Sequence, residues 1–289
     1  MKITILLSLL SLSFSVFSQD TLKEEVSYVY ESFAGTRVIN NHSNECLPKN
    51  SLEFIVAHKF GDMLGSGGGI QNFFGFDNLA DVRIAFEYGI LDPLDVGIGR
   101  NKGVATRTEV IDGYVKYQIL RQKTSGMPVS LVYVSSMALP YGRKILDSSS
   151  VKSYPRFINR FMFTNQILVT RKFHPRFTWQ LNAGYHHRNF VTNNDVNGLF
   201  FAGTSARVRV TKMFGFLVEY NHVFNRPSAL NAKNPLSFGV EILTGGHIFA
   251  LHFSNGKGIN ENLFLSQTYS DWLEGQWRFG FSINRRFKL

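Results

Sequence analysis

A histidine and a serine stand two positions apart near the carboxyl end of the sequence, at His252 and Ser254. Successive side chains of a β-strand point to opposite faces, so this pair would project from one face if the surrounding segment is extended. A histidine base beside a serine hydroxyl is the arrangement by which hydrolases activate a nucleophile. Glu261 is the nearest acidic residue that follows the pair. A structural interpretation competes with this one: a strand that ends in a turn at Asn255-Gly256.

Charged and apolar residues alternate through much of the chain, and this pattern defines the elements that would carry such a site. Between Leu79 and Leu91, Asp81, Arg83 and Glu87 lie at alternate positions with apolar residues between them. A two-residue period is typical of a β-strand with two different faces. In a soluble β-sandwich the charged face would meet solvent, whereas in an outer-membrane barrel it would line the lumen.

The charged positions on the predicted inner faces are the candidate lumen lining of such a barrel. They are Arg83, Glu87, Asp112, Lys116, Arg160, Arg207, Arg209, Glu219, Glu241, Arg278 and Arg286. Their mixed signs favour a salt-bridged interior that holds a narrow barrel shut. In an open conduit, the arginines at 207, 209, 278 and 286 would attract anions. Both interpretations stay open from the sequence.

The lengths of the connections distinguish the two β architectures. Strand-like segments follow one another from Ser51 to Leu289, and their connections alternate between short and mostly longer ones. Transmembrane barrels have short periplasmic turns and longer external loops, and sandwiches have no such requirement. The last segment alternates aromatic and polar residues up to the chain end, as a barrel-closing strand does. We therefore predict an all-β, antiparallel up-and-down transmembrane β-barrel of about twelve strands over residues 51–289, with a periplasmic β-sandwich as the alternative.

The amino-terminal region predicts export. Residues 1–18 combine Lys2 with an apolar run, which is typical of a signal peptide cleaved after Ser18. No later run of about 18 apolar residues could form a membrane-spanning helix. Residues 19–50 have no regular period and are expected in the periplasm, where they either enter the barrel base as a plug or form a loosely ordered tail. The predicted location of the barrel is the outer membrane.

Composition argues against several classes of ligand. The chain has 31 Lys and Arg, or 30 without Lys2, against 21 Asp and Glu, so the mature net charge is +9. In the envelope this charge predicts contacts with lipid head groups or anionic solutes and no nucleic-acid partner. Cys46 is the single cysteine, so a disulfide framework is not expected. The adjacent His186 and His187 would face opposite sides of a strand, so we predict no metal site, and no other cofactor.

Several segments resemble a known family. FAGTRVINNHSNE (33–45), LEFIVAHKFGD (52–62), FGFDNLADVRIAFEYGI (74–90), GIGRNK (97–102) and KYQILRQ (116–122) are similar to a family of outer-membrane β-barrels of Gram-negative bacteria whose domain has no assigned function. The resemblance covers essentially the whole mature chain. It implies an outer-membrane location and assigns no catalytic residues. Separately, His252-Phe253-Ser254-Asn255 resembles the His-x-Ser-Asn motif of outer-membrane lipid A deacylases, which implies His252 as base and Ser254 as nucleophile.

The sequence therefore predicts a non-enzymatic outer-membrane barrel. Its expected role is a narrow porin-like channel for small solutes, anions among them, or a scaffold for envelope partners. The alternative is a lipid hydrolase that uses His252, Ser254 and Glu261. Membrane lipid is the expected surrounding, and the sequence leaves the oligomeric state open.

Overall fold

The chain closes into a barrel of antiparallel strands. The computed structural model describes residues 27–103 and 109–289, and within them twelve strands pair in sequence order, with β1 pairing to β12 to complete the ring. The strands are β1 Ser51–Phe60, β2 Leu79–Leu91, β3 Leu94–Gly103, β4 Glu109–Leu120, β5 Ser130–Pro140, β6 Met162–His174, β7 Phe177–Arg188, β8 Gly198–Arg209, β9 Phe214–Val223, β10 Leu236–Leu243, β11 His247–Ser254 and β12 Arg278–Lys288. The predicted all-β, up-and-down barrel is confirmed. The predicted signal peptide, residues 1–18, lies outside the described residues.

Within residues 27–103 and 109–289, helical structure is confined to the connections. One α-helix, α1, covers Glu261–Gln267 in the connection between β11 and β12, and 3-10 turns form at Ile70–Gly75, Phe157–Arg160 and Ser228–Leu230. In the part of the chain that the structure describes, no helix has the length and apolar character needed to cross a membrane.

Apolar side chains cover the outside of the barrel, and charged side chains lie inside it. In β2, Ile84 and Phe86 are 45% and 48% exposed, whereas Arg83 and Glu87 are 2% and 0% exposed. Exposed apolar groups and buried charges are the reverse of a water-soluble fold. They suit a barrel whose outer face contacts lipid, because lipid favours apolar groups as strongly as a protein core does.

The two ends of the barrel differ in their connections. The connections after even-numbered strands include the short segments 92–93, 175–176 and 244–246, whereas those after odd-numbered strands include 61–78, 141–161 and 255–277. We call these the turn end and the loop end. The start of β1 and the end of β12 pair at the turn end, which is the periplasmic end in transmembrane barrels.

Strand β6 begins at Met162, although the alternation of residue types in the sequence extends back to Arg156. The side chain of Asn159 accepts a hydrogen bond from the backbone N–H of Arg156 at 2.9 Å, which closes the 3-10 turn Phe157–Arg160. Arg160 therefore precedes the strand and lies at the loop end.

Two segments that are not strands lie within the barrel. Residues 32–47, here called the inner segment, enter from the turn end, and most of their side chains are buried. Helix α1 and the residues before it fold back from the loop end, and Glu261 through Ser266 are buried. These two segments, together with the inward face of the strands, form the interior of the molecule.

Candidate functional site

The inner face of the barrel wall carries charges that pair with one another. Arg83 of β2 donates to Asp112 of β4 at 2.7 Å, and both side chains are almost fully buried. Arg207 of β8 donates to Glu241 of β10. A buried ion that lacks a partner is costly, so each pair restricts where its strands can sit.

A single carboxylate on the wall holds the middle of the inner segment. Glu219 of β9 accepts hydrogen bonds from the backbone N–H groups of Ile39 at 3.2 Å, Asn40 at 3.0 Å and Asn41 at 2.9 Å. It also accepts from the Asn40 side chain at 2.6 Å. Without Glu219, three consecutive buried N–H groups would lack an acceptor. Burying an unpaired N–H group costs free energy, so Glu219 stabilises the inner segment in the lumen.

Donors on other strands bind the carbonyl groups of the inner segment. Lys116 of β4 donates to the carbonyl oxygens of Thr36 at 3.0 Å and Glu45 at 2.9 Å. Gln180 of β7 donates to the carbonyl oxygen of His42 at 2.7 Å, and Thr178 donates to that of Ser32 at 2.8 Å. The inner segment is thus attached to opposite sides of the barrel by its backbone.

The inner segment and α1 meet at Glu261. Its carboxylate accepts from Arg37 at 3.0 Å and from the Nε2 of His42 at 3.1 Å. Burial, reinforced by the Arg37 guanidinium, lowers the pKa of His42 to about 4. Burial by itself would raise the pKa of Glu261, but His42 and Arg37 hold it well below its ordinary value. At neutral pH, an ionised Glu261 therefore pairs with Arg37 and accepts a hydrogen bond from a neutral His42.

Polar wall residues also bind the chain before α1. Lys59 of β1 donates to the carbonyl oxygens of Gly256 at 3.2 Å and Gly258 at 2.8 Å. Asp81 of β2 accepts from the backbone N–H of Ile259 at 3.0 Å. The connection between β11 and β12 is therefore part of the interior and not a free external loop.

Most of the charged residues singled out in the sequence lie on the inner face. Those buried there are Arg83, Glu87, Asp112, Lys116, Arg207, Glu219, Glu241 and Arg278. Arg286 donates to the buried Glu53 at 3.0 Å with its own side chain 38% exposed, and Arg209 is half-buried and donates to the carbonyl groups of Thr211 and Lys212. Both lie at the turn end.

Arg160 lies in the 3-10 turn before β6, at the loop end of the barrel. Its guanidinium donates to the carbonyl oxygens of Pro140 at 2.9 Å and Gly142 at 2.8 Å, and it lies over the ring of Tyr154. The residue alternation continues through this position, but the extended strand begins only at Met162.

The structure does not assemble the three candidate hydrolase residues. His252 and Ser254 are both buried on the inner face of β11. Ser254 bonds Ser237 at 3.1 Å, and neither ring nitrogen of His252 has a hydrogen-bond partner among the described residues. Glu261 is occupied by Arg37 and His42. Nor do the described ranges contain a group of His, Cys, Asp and Glu side chains able to hold a metal ion.

Sequence reasoning missed several residues of the interior. Glu53 and Lys59 lie on the inner face of β1, and the two-residue period of SLEFIVAHKF could have placed them there. No local pattern could have identified Arg37 or His42, because the inner segment has no period and its partners are distant in the chain.

These features define a class: a transmembrane β-barrel with a polar, charged interior. Residues 33–287 match the family of membrane-bound β-barrel domains designated DUF5777, and the chain belongs to this family. The match begins within the inner segment and includes α1, so both are part of the domain. Barrels of this class reside in outer membranes, and the protein is an outer-membrane protein.

Several solved structures have a similar fold. The NanC porin is 9% identical, with a TM-score of 0.50 over 82% of this chain and 100% of that one. The KdgM porin is 6% identical, with a TM-score of 0.48 over 82% of this chain and 99% of that one, and Omp33 of Acinetobacter baumannii is 9% identical, with a TM-score of 0.42 over 83% and 99%. At this identity the likeness concerns the fold alone. A comparison with curated protein sequences gives no match.

Proposed function

We propose that the protein is a gated outer-membrane channel for small polar solutes, and that the inner segment and α1 hold it closed. One observation carries the proposal: the wall is polar and charged, yet the obstruction comes from segments that belong to no strand. Such segments can leave without breaking a hydrogen bond between strands. A wall whose own side chains filled the lumen could not open in this way.

The interior supports a closed state. Between the inner segment and strands β1, β2 and β12 there is a cavity of about 20 Å³, bordered by Arg37, Asn40 and Arg83. This is room for about one water molecule. Passage of a solute along this side of the lumen therefore requires one or both inserted segments to move.

The turn end offers one arginine to a passing anion. A cavity of about 400 Å³ opens there, bordered by Arg207, Arg209 and Arg286 together with Glu31 and Glu45. Glu241 and Glu53 pair with two of these arginines, and Arg209 bonds only neutral carbonyl groups among the described residues. Arg209 is therefore the cation of this mouth that would attract anions, against the opposing charge of Glu31 and Glu45.

The test is conductance in planar bilayers. Wild type should show a low current with rare openings. Deletion of residues 32–47 combined with Leu263→Ala, which loosens the packing of α1 against the wall, should give a steady current with a reversal potential on the anion side in a salt gradient. An equal-length deletion of 143–158 in the connection between β5 and β6 is the matched control and should behave as wild type.

Heat-modifiable gel migration establishes that each variant is folded. If the deletion of 32–47 prevents folding, Glu219→Ala replaces it, because that change leaves every strand intact. A folded variant without the inner segment that stays silent in the bilayer contradicts the channel and favours a scaffold.

A further inference from the structure

We infer that the outer surface at the turn end binds anionic phospholipid through a basic arc. The arc consists of Arg171, Arg176, Lys212, Arg285 and Lys288, all of which are exposed. They belong to β6, to the turns after β6 and β8, and to β12. The segments 171–176, 210–213 and 285–289 contain no Asp or Glu side chain.

Two residues of the arc point toward the membrane. Arg171 shares the outward face of β6 with Ile167 and Val169, which are 48% and 37% exposed. Its guanidinium lies 5.0 Å from the ring centre of Phe173, which is itself exposed. Aromatic side chains of barrels concentrate at the level of the lipid head groups. A guanidinium stacked on such a ring is held at the depth of the lipid phosphate.

Arg285 repeats this arrangement on β12. Its guanidinium lies 5.3 Å from the ring centre of Phe287, an exposed aromatic residue on the same outward face. It also contacts Nε2 of His247 at 2.9 Å, which fixes its direction. Among the described residues no carboxylate lies within 4.0 Å of either guanidinium. Both therefore have free donors for a phosphate oxygen.

The loop end carries charges of both signs. Its connection between β5 and β6 has Arg143, Lys144, Lys152, Arg156 and Arg160 against Asp147, whereas the connection between β1 and β2 has only Asp62 and Asp77. Lys233 pairs with Asp271 at 2.8 Å across two other loops. Acidic connections therefore interrupt the basic ones around this end. The two ends differ in how their charged residues are arranged in the fold, and the net charge of the chain does not reveal that arrangement.

Lipid is the partner that fits the direction of these side chains. Arg171 and Arg285 lie beside exposed apolar residues on the outer face of the barrel, where a soluble polyanion or the cell wall cannot reach both. Arg176 and Lys212, in the turns, extend the surface for a head group with a second negative charge. We therefore expect phosphatidylglycerol and cardiolipin to bind more tightly than phosphatidylcholine.

Native mass spectrometry of the purified full chain in detergent tests this inference. With equal amounts of phosphatidylglycerol and phosphatidylcholine present, wild type should retain mainly the anionic lipid. Each basic residue near a membrane surface strengthens such binding about fivefold. Because β6 and β12 lie on opposite sides of the ring, each bound lipid loses one of these cations, and R171Q/R285Q should lower the ratio of the two adducts about fivefold. The variant R171K/R285K keeps the charge and should keep most of the preference.

R143Q/K144Q removes two basic residues from the loop end and is the matched control, with an expected ratio equal to wild type. Heat-modifiable migration verifies folding, and the single variants R171Q and R285Q replace the double variant if it does not fold. Equal retention of both lipids by wild type overturns the inference, and so does an equal loss in R143Q/K144Q. Binding to purified cell-wall sacculi that R171Q/R285Q abolishes, with the lipid ratio unchanged, would also overturn it.

Discussion

The two halves of the lumen are filled by different interactions. At the turn end, the inner segment is bound through its backbone by Glu219, Lys116 and Gln180. One small apolar cluster, of Phe33, Val38, Ile39 and Leu217, accompanies these bonds. At the loop end, α1 lies among apolar side chains that the inward face of the wall supplies there. The inner segment is thus held mainly by hydrogen bonds, and α1 mainly by apolar packing.

The packing around α1 resembles a small protein core. Leu263 contacts Val110, Ala138 and Met162 of the wall, and it is 2% exposed. On the other side of the helix, Phe264 and Leu265 contact Leu199, Phe201 and Val223. Asn260 caps the amino end of the helix, and its side chain accepts from the backbone N–H of Leu263 at 3.1 Å.

This difference in how the two segments are held predicts which substitutions each half of the lumen tolerates. Apolar packing varies gradually with volume, whereas a buried polar group costs most when its partner is removed. The inner segment should therefore respond sharply to the loss of one wall residue and to protonation. Helix α1 should respond mainly to the loss of side-chain volume.

The largest effect is expected for Glu219→Ala. This change leaves the buried N–H groups of Ile39, Asn40 and Asn41 without their acceptor, at a cost of about 3 kcal/mol in the stability of the inserted state after partial rehydration. Cys46, the single cysteine, is buried in the inner segment, and burial raises the pKa of its thiol to about 12. Its labelling by a maleimide reports release of the segment, and we expect about 100-fold faster labelling.

Two variants control for this measurement. Glu219→Gln keeps one acceptor oxygen and should give a smaller increase, and Glu109→Ala removes a wall carboxylate at the loop end whose partner, Lys102, is exposed. If folded Glu219→Ala is labelled no faster than wild type, Glu219 does not hold the segment.

The next effect is expected for Leu263→Ala. The substitution leaves a cavity between α1 and the wall and should destabilise the docked helix by about 2 kcal/mol. An external protease should then cleave within 255–277 about 30-fold faster in reconstituted vesicles, because cleavage follows the population of the open form. Cys46 labelling should rise less than in Glu219→Ala.

Leu273→Ala, in the same connection but 77% exposed, should leave the cleavage rate unchanged. If the protease cleaves Leu263→Ala no faster than wild type, apolar packing does not hold α1 against the wall.

The smallest effect is that of pH. The pKa of His42 is about 4 in the inserted state and 6.5 ordinarily, so below pH 6.5 the released state binds the proton more readily and insertion weakens. Glu261, with a lowered pKa, acts in the same direction below its ordinary 4.5. Release of the segment should rise about tenfold from pH 7.5 to pH 5.5.

The rate of Cys46 labelling, measured relative to that of a free cysteine peptide at each pH, gives the change in release of the inner segment between the two pH values. His42→Gln cannot take up the proton and should flatten the profile above pH 5. If Cys46 labelling in that variant depends on pH as strongly as in wild type, a group other than His42 takes up the proton.

Much of the barrel could be predicted because its signals are local. The alternation in β7 places Gln180 and Asn182 on the inner face, where both are buried. Alternation does not locate the start of β6, because the 3-10 turn Phe157–Arg160 interrupts the extended chain where the alternation continues. The order and number of strands could be predicted because connections without the two-residue period separate the alternating segments in the sequence.

The interior could not be predicted in the same way. Glu219 and Asn40 are 179 positions apart, and Arg37 and Glu261 are 224 apart. No spacing rule links such residues, and neither the inner segment nor α1 carries a strand period. Their partners become neighbours only when the barrel closes.

By itself, the sequence determined a twelve-strand barrel with an apolar outside and a charged inside, because side-chain alternation is set by the geometry of each strand. The tertiary structure alone decided that two non-strand segments occupy the lumen, that Glu261 joins them, and that Glu261 bonds Arg37 and His42 instead of His252 or Ser254. The reason is that closure of the ring sets which inward side chains face one another, and only then do the buried donors and acceptors determine which segment fills the space between them.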